Sequence, residues 1–224
     1  MKKITYLLLF VSSVFISSCN EENMNYSCDE LTNKWVMANL DQIRTMDVKE
    51  WSNLDDTLKI PIYRAFTHKQ RIEFWRLRFR DIKQMKWSKE ELLHIEKAEN
   101  FFNMHLDLFS ENKLNDDQLN ELELFGYTWM SEAIEKFGWT PQIGNLVIGT
   151  GYTIRSDESI NDGNVILKRP EKPKKLACHC HGGNVIFHSC YADFTSCEKT
   201  DKCEDVSPSG CGLFLLEECD GLCL

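Results

Sequence analysis

The sequence predicts a mainly α protein, an N-terminal antiparallel helical array followed by a small disulfide-rich C-terminal module with little regular structure. Three observations predict it. Residues 29–177 contain no cysteine, and up to Gly138 they repeat apolar residues at helical spacing behind helix-start signals. Residues 177–224 hold eight of the ten cysteines. The chain opens with two lysines, an apolar run and small residues before a cysteine, the pattern of an export signal. The organisation expected is a lipoprotein signal peptide over 1–18, a lipidated tether over 19–29, a helical domain over 30–138, loop, short strands and linker over 139–176, and the cysteine module over 177–224.

The first helical stretch, "LTNKWVMANLDQI", places Leu31, Trp35, Leu40 and Ile43 on one side. Asp47 with Glu50 three residues on is a start signal, and Val48, Trp51, Leu54 and Leu58 follow on one face. "IPIYRAF" predicts a short helix begun by Pro61, where a missing N–H costs nothing. Thr67 and Gln70 form a capping box ahead of Ile72, Trp75, Phe79 and Ile82. Ser88 with Glu91 opens a helix whose face is Leu92, Ile95, Phe102, Leu106 and Phe109. Asn115 with Gln118 opens another, carrying Leu119, Leu122, either Phe125 or Gly126, Trp129 and Ala133 and stopped by Gly138. Tryptophans and phenylalanines at these spacings form a core.

Little in this part carries chemistry. His68, His94 and His105 lie far apart in sequence, with no ligand pair at i and i+4 and no phosphate loop ahead of a helix. The acidic pairs Glu90-Glu91 and Asp116-Asp117 stand in first helical turns, where they complement the helix dipole. No catalytic residue, metal or cofactor is expected. Beyond Trp139 the helical period is lost. "NLVIG" and "GNVILK" suggest short strands, and "RPEKPKK" a linker.

The N-terminus gives the tail its compartment. "ISSC", ending at Cys19, resembles a bacterial lipobox, which implies a lipid on the Cys19 thiol and cleavage just before it. "NEEN" after it is similar to the acidic sorting signal of Bacteroidetes-type surface lipoproteins. The expected location is therefore the outer membrane, with the lipid making the membrane contact. Loss of Lys2 and Lys3 with the signal leaves 24 basic against 35 acidic side chains. That balance argues against nucleic acid as a partner and against simple adsorption to anionic lipid.

In an exported chain, Cys178, Cys180, Cys190, Cys197, Cys203, Cys211, Cys219 and Cys223 are expected to pair with one another in an order the sequence does not determine. The module has one strong apolar cluster, Leu213 to Leu216, and needs staples in place of a core. A metal site at "CHCH" is the rival reading, but Cys-x-Cys lacks the loop of structural zinc sites. Cys28 is left over, as a free thiol or a link to a second chain.

The eight cysteines in this order, with Pro208, Gly210 and Gly212 in "SPSGCG", resemble the bacteriocin fulvocin C-related proteins. "IYRAF" and "RIEFW" are similar to the helical half of that family. The resemblance implies a bacteriocin-like framework acting on a protein or envelope target. The tail departs from it in carrying eight acids against two lysines and in its final three-residue cysteine spacing. Two functions stay open, an antibacterial effector or its displayed precursor, and a non-enzymatic surface lipoprotein that binds or supports without killing.

Overall fold

The computed structural model describes residues 25–27, 29–110, 113–149, 197–199 and 209–223. Cys19, Cys28, Cys178, Cys180, Cys190, Cys203, the "GNVILK" strand and the linker lie outside them. The fold is mainly α. Its helices are α1 (Glu30–Ala38), α2 (Leu40–Thr45), α3 (Asp56–Ala65), α4 (His68–Lys83), α5 (Lys89–Met104), α6 (Asp116–Phe137) and α7 (Pro141–Gly144). Short 3₁₀ turns cover Val48–Asn53, Leu106–Phe109 and Leu213–Leu215, and a π-helical turn covers Asn145–Gly149. Strands β1 (Cys197–Lys199) and β2 (Gly221–Cys223) pair antiparallel, with Cys197 opposite Cys223 in the register.

The three longest helices begin where the start signals put them. Thr67, Ser88 and Asn115 each accept from the backbone N–H three residues on, and Gln70, Glu91 and Gln118 reach back to the capping residue's own N–H. Each box satisfies two N–H groups that a helix start leaves without a partner. α6 stops at Gly138, which is left-handed at φ 68° and donates its N–H to the Ile134 carbonyl. The faces of α4, α5 and α6 meet in one core. Ile72, Trp75, Phe79, Ile82, Ile95, Phe102, Leu122, Trp129 and Ala133 are all buried there.

Three expectations need correction. Leu31 and Trp35 do not share a buried side with Leu40 and Ile43; they are exposed, and Val36 is the buried residue of α1. α1 ends at Ala38, and Asn39, at φ −117° and ψ 14°, leaves the helical conformation before α2 begins, so the spacing does not carry across the break. Pro61 does not begin its helix, because α3 starts at Asp56 and holds Pro61 in its interior. The one rung proline removes is outweighed by what the helix buries, Ile62, Tyr63, Ala65 and Phe66. Finally, "NLVIG" is the π-helical turn rather than a strand. A short apolar run buried on all sides reads the same either way, and a helical turn satisfies its own backbone without a ladder partner.

Gly138 tests the stop of α6. A Cβ added there would meet nothing within 4 Å, so Gly138→Ala isolates the backbone cost of φ 68°. A loss of about 1 kcal/mol is expected in urea unfolding, with an unchanged denaturant slope.

Candidate functional site

The tail is not a free appendage over its last described segment. Residues 209–220 form a loop closed by the Cys211–Cys219 disulfide, whose Cα atoms are 5.2 Å apart. Inside it, Cys211 and Glu217 exchange backbone hydrogen bonds of 3.1 and 2.9 Å, and Gly210 N–H donates to the Leu215 carbonyl at 2.8 Å. The Glu217 side chain folds back under the loop, where its Oε1 accepts from Leu213 N–H at 2.8 Å. Gly212 leaves room for that carboxylate, since a Cβ there would lie 2.1 Å from Glu217 Cδ. A loop of this length is restrained by about 2–3 kcal/mol of closure entropy.

The loop presents Leu213 to Leu216 to the helices, and all four are buried in the helical core. Phe214 is at its centre. Its ring lies 5.1 Å from Trp75 edge-on and 6.1 to 6.4 Å from Phe79, Phe101, Phe102, Phe109 and Phe125. α4, α5, the Leu106–Phe109 turn and α6 each supply at least one of these rings. The backbone is bent to reach them, with Phe214 at φ 53° and Leu215 at φ 56°. Left-handed non-glycine residues cost on the order of 1–3 kcal/mol each, and burial of a whole aromatic side chain offsets that cost.

The backbone of this turn is held as firmly as its ring. Trp75 Nε1–H donates to the Phe214 carbonyl at 3.0 Å and lies 3.1 Å from the Tyr63 oxygen, while Tyr63 O–H donates to the same carbonyl at 3.3 Å. Burial pushes the Tyr63 phenol up to about 12, so it stays a donor at any physiological pH. Arg64 Nε–H donates to the Ser209 carbonyl at 2.7 Å, and its Nη1 to the Tyr26 carbonyl at 2.9 Å. One guanidinium thus joins the first described segment to the last. Arg78, whose pKa burial pulls down to about 9, donates to the Leu146 carbonyl of the π-helical turn.

The predicted site residues divide accordingly. Cys211 and Cys219 are brought together as a disulfide, and Cys197 and Cys223 are register partners across β1 and β2. Phe214, Tyr63, Trp75, Arg64 and Glu217 complete the seat, and the sequence did not single them out for it. Among the described residues no group of three or more His, Cys, Asp or Glu side chains is placed to hold a metal ion, and no helix is long and apolar enough to cross a membrane. His94 is built into the core. Its Nε2–H donates to the Trp129 carbonyl at 3.0 Å, its ring stacks on Trp129 at 4.8 Å, and Trp129 Nε1–H returns a bond to the His94 carbonyl.

No family model, curated protein or solved structure matches this chain.

Phe214→Ala empties the aromatic seat and should cost about 3–5 kcal/mol in chemical unfolding, whereas Phe214→Leu should cost markedly less. Burial holds the His94 pKa below its usual 6.5, against the opposing pull of Glu132 and alongside that of Lys97 and Lys136. The unfolded chain therefore binds a proton before the folded one, so stability is complete above pH 6.5 and declines as pH falls below it. His94→Gln should flatten melting temperature between pH 7 and 5. Glu132, held down to about 2 by Lys136 and Lys97, contributes above pH 4.5 and loses its contribution only as pH falls towards 2.

Proposed function

We propose that this protein is a non-enzymatic, lipid-anchored surface protein that displays its cysteine tail on a helical base, so that the tail meets a protein or envelope target while still attached. The observation that carries this reading is Phe214. A tail made for release as a free peptide would have to withdraw Phe214 and three leucines from the helical core and break the hydrogen bonds to the Phe214 and Ser209 carbonyls. Attachment through a buried aromatic instead favours a module that works in place. The export pattern before Cys19 supports the anchor, and the acidic sequence after it supports outward display.

The resemblance to fulvocin C-related proteins, carried by the order of the eight cysteines, favours a second form of the same reading, in which the displayed module inhibits neighbouring cells on contact. The tail's acids also suit a basic partner surface.

Co-culture separates display from release. Cells producing the full chain are grown beside a panel of related bacteria, either mixed or divided by a protein-permeable filter. Inhibition of mixed but not divided cultures is expected if the module kills on contact. No inhibition in either, with a partner retained by the immobilised full chain and lost on reduction, is expected if it only binds. Inhibition across the filter, accompanied by tail peptide in the medium, would overturn display. Non-reducing peptide mapping of the same protein should find lipid on Cys19 and Cys211 joined to Cys219.

A further inference from the structure

Leu31, Trp35 and Ala38 recur at i, i+4 and i+7 along α1 and form an outward stripe, with Val36 buried on the other side of the helix. Leu31 is 66% exposed and Trp35 44%. Of the six tryptophans, Trp51, Trp75, Trp129 and Trp139 are buried and Trp87 is half-buried with its N–H on the Ile82 carbonyl, which leaves Trp35 as the exposed one. A solvated tryptophan beside a leucine one turn away is an unfavourable surface for water and a favourable one for the lipid headgroup boundary, where an indole can bury its ring and keep its N–H wet.

The position of α1 decides what could cover the stripe. Tyr26 N–H donates to Asn33 Oδ1 and Asn33 Nδ2 donates to Asn25 Oδ1, each at 2.8 Å, so the segment leading into the chain is fastened to α1 itself. Arg64 holds the Tyr26 carbonyl and ties the same point to the core. From Cys19 to Asn25 is six residues, a reach of at most about 20 Å when fully extended. Whatever anchors Cys19 therefore keeps α1 within that distance of the bilayer. Charge does not oppose this placement. The anchored chain carries 24 basic against 35 acidic side chains, which anionic headgroups repel, but the stripe itself is uncharged and its neighbour Lys34 is paired with Glu30.

We propose that the Leu31–Trp35–Ala38 face of α1 rests in the headgroup region of the membrane to which the chain is anchored, and so fixes how the helical base stands on the surface. This rests on the lipid-anchor reading above. With α1 down, the body is held at a set orientation close to the bilayer, instead of swinging on a loose tether.

The test uses the lipidated full-length protein in vesicles of phosphatidylethanolamine and phosphatidylglycerol carrying brominated acyl chains, which quench tryptophan at short range. Part of the emission should be quenched. That part should vanish in Trp35→Phe and shrink in Leu31→Ser, while Tyr127→Ser on the exposed face of α6 leaves it unchanged; circular dichroism melts check that all three variants stay folded. A lipidated chain that floats with the vesicles but shows no quenching would overturn the inference alone, and would mean that another part of the chain or a second copy covers the stripe. Loss of quenching in the α6 variant instead of the α1 variants would overturn it too, since the body would then lie on a different face. An intact mass without lipid on Cys19, together with failure to float, would remove the anchor reading and this inference with it.

Discussion

The described structure depends on one residue being accepted by a core built almost entirely from sequence far upstream of it. Phe214 occupies a site lined by rings from α4, α5, the turn after α5 and α6, and the backbone around it takes a left-handed bend to deliver it there. Ring and carbonyl are held together, the ring by packing and the carbonyl by Trp75 and Tyr63. The disulfide between Cys211 and Cys219, the fold-back of Glu217 and the missing Cβ of Gly212 all serve to hold that bend. Staple and core therefore reinforce one another. The disulfide restrains a loop that would otherwise resist its strained shape, and the core rewards the shape once formed.

Buried arginines make the remaining junctions. Arg64, Arg71 and Arg78 direct donors at backbone carbonyls: Ser209 and Tyr26 for Arg64, Arg64 itself for Arg71, and Leu146 for Arg78. Each acceptor lies in or next to an irregular segment or at the end of a helix. An unsatisfied carbonyl in a dry core is costly, and a guanidinium with five donors on a long stem can reach one that no neighbouring strand can. Their aliphatic stems and flat heads also pack on aromatics, Arg71 over Tyr63 and Arg78 over Trp75.

What the sequence made legible was local. Thr67…Gln70, Ser88…Glu91 and Asn115…Gln118 each place both halves of a signal within four residues, and the apolar period behind them continues for several turns, so start and face could be read together. An unmarked local break, or a dependence on partners distant in sequence, is not legible in the letters. The spacing from Leu31 to Ile43 is continuous in the sequence, and nothing there marks the non-helical residue at Asn39. "LVI" reads as strand or helix alike until its surroundings are known, and its surroundings include the Leu213–Leu215 turn. Leu213 to Leu216 stood out as the tail's apolar cluster, and the polar, acidic tail around them was the one hint that these residues were meant for another surface. Of the eight tail cysteines, only the pairing of Cys211 with Cys219 joins a described pair of side chains, and spacing alone did not choose it.

The distance in sequence between Phe214 and its seat also orders events in time. Phe125, the last ring of the seat, is complete 89 residues before Phe214 in a chain made from its N-terminus. At ribosomal speeds that interval is roughly 5–20 s, during which the rings of the seat have been made and the residue that fills it has not. A chain terminated anywhere before Phe214 leaves that seat unfilled for good. Exposed rings of that kind are what proteases and chaperones recognise, so truncation before Phe214 exposes the chain to both.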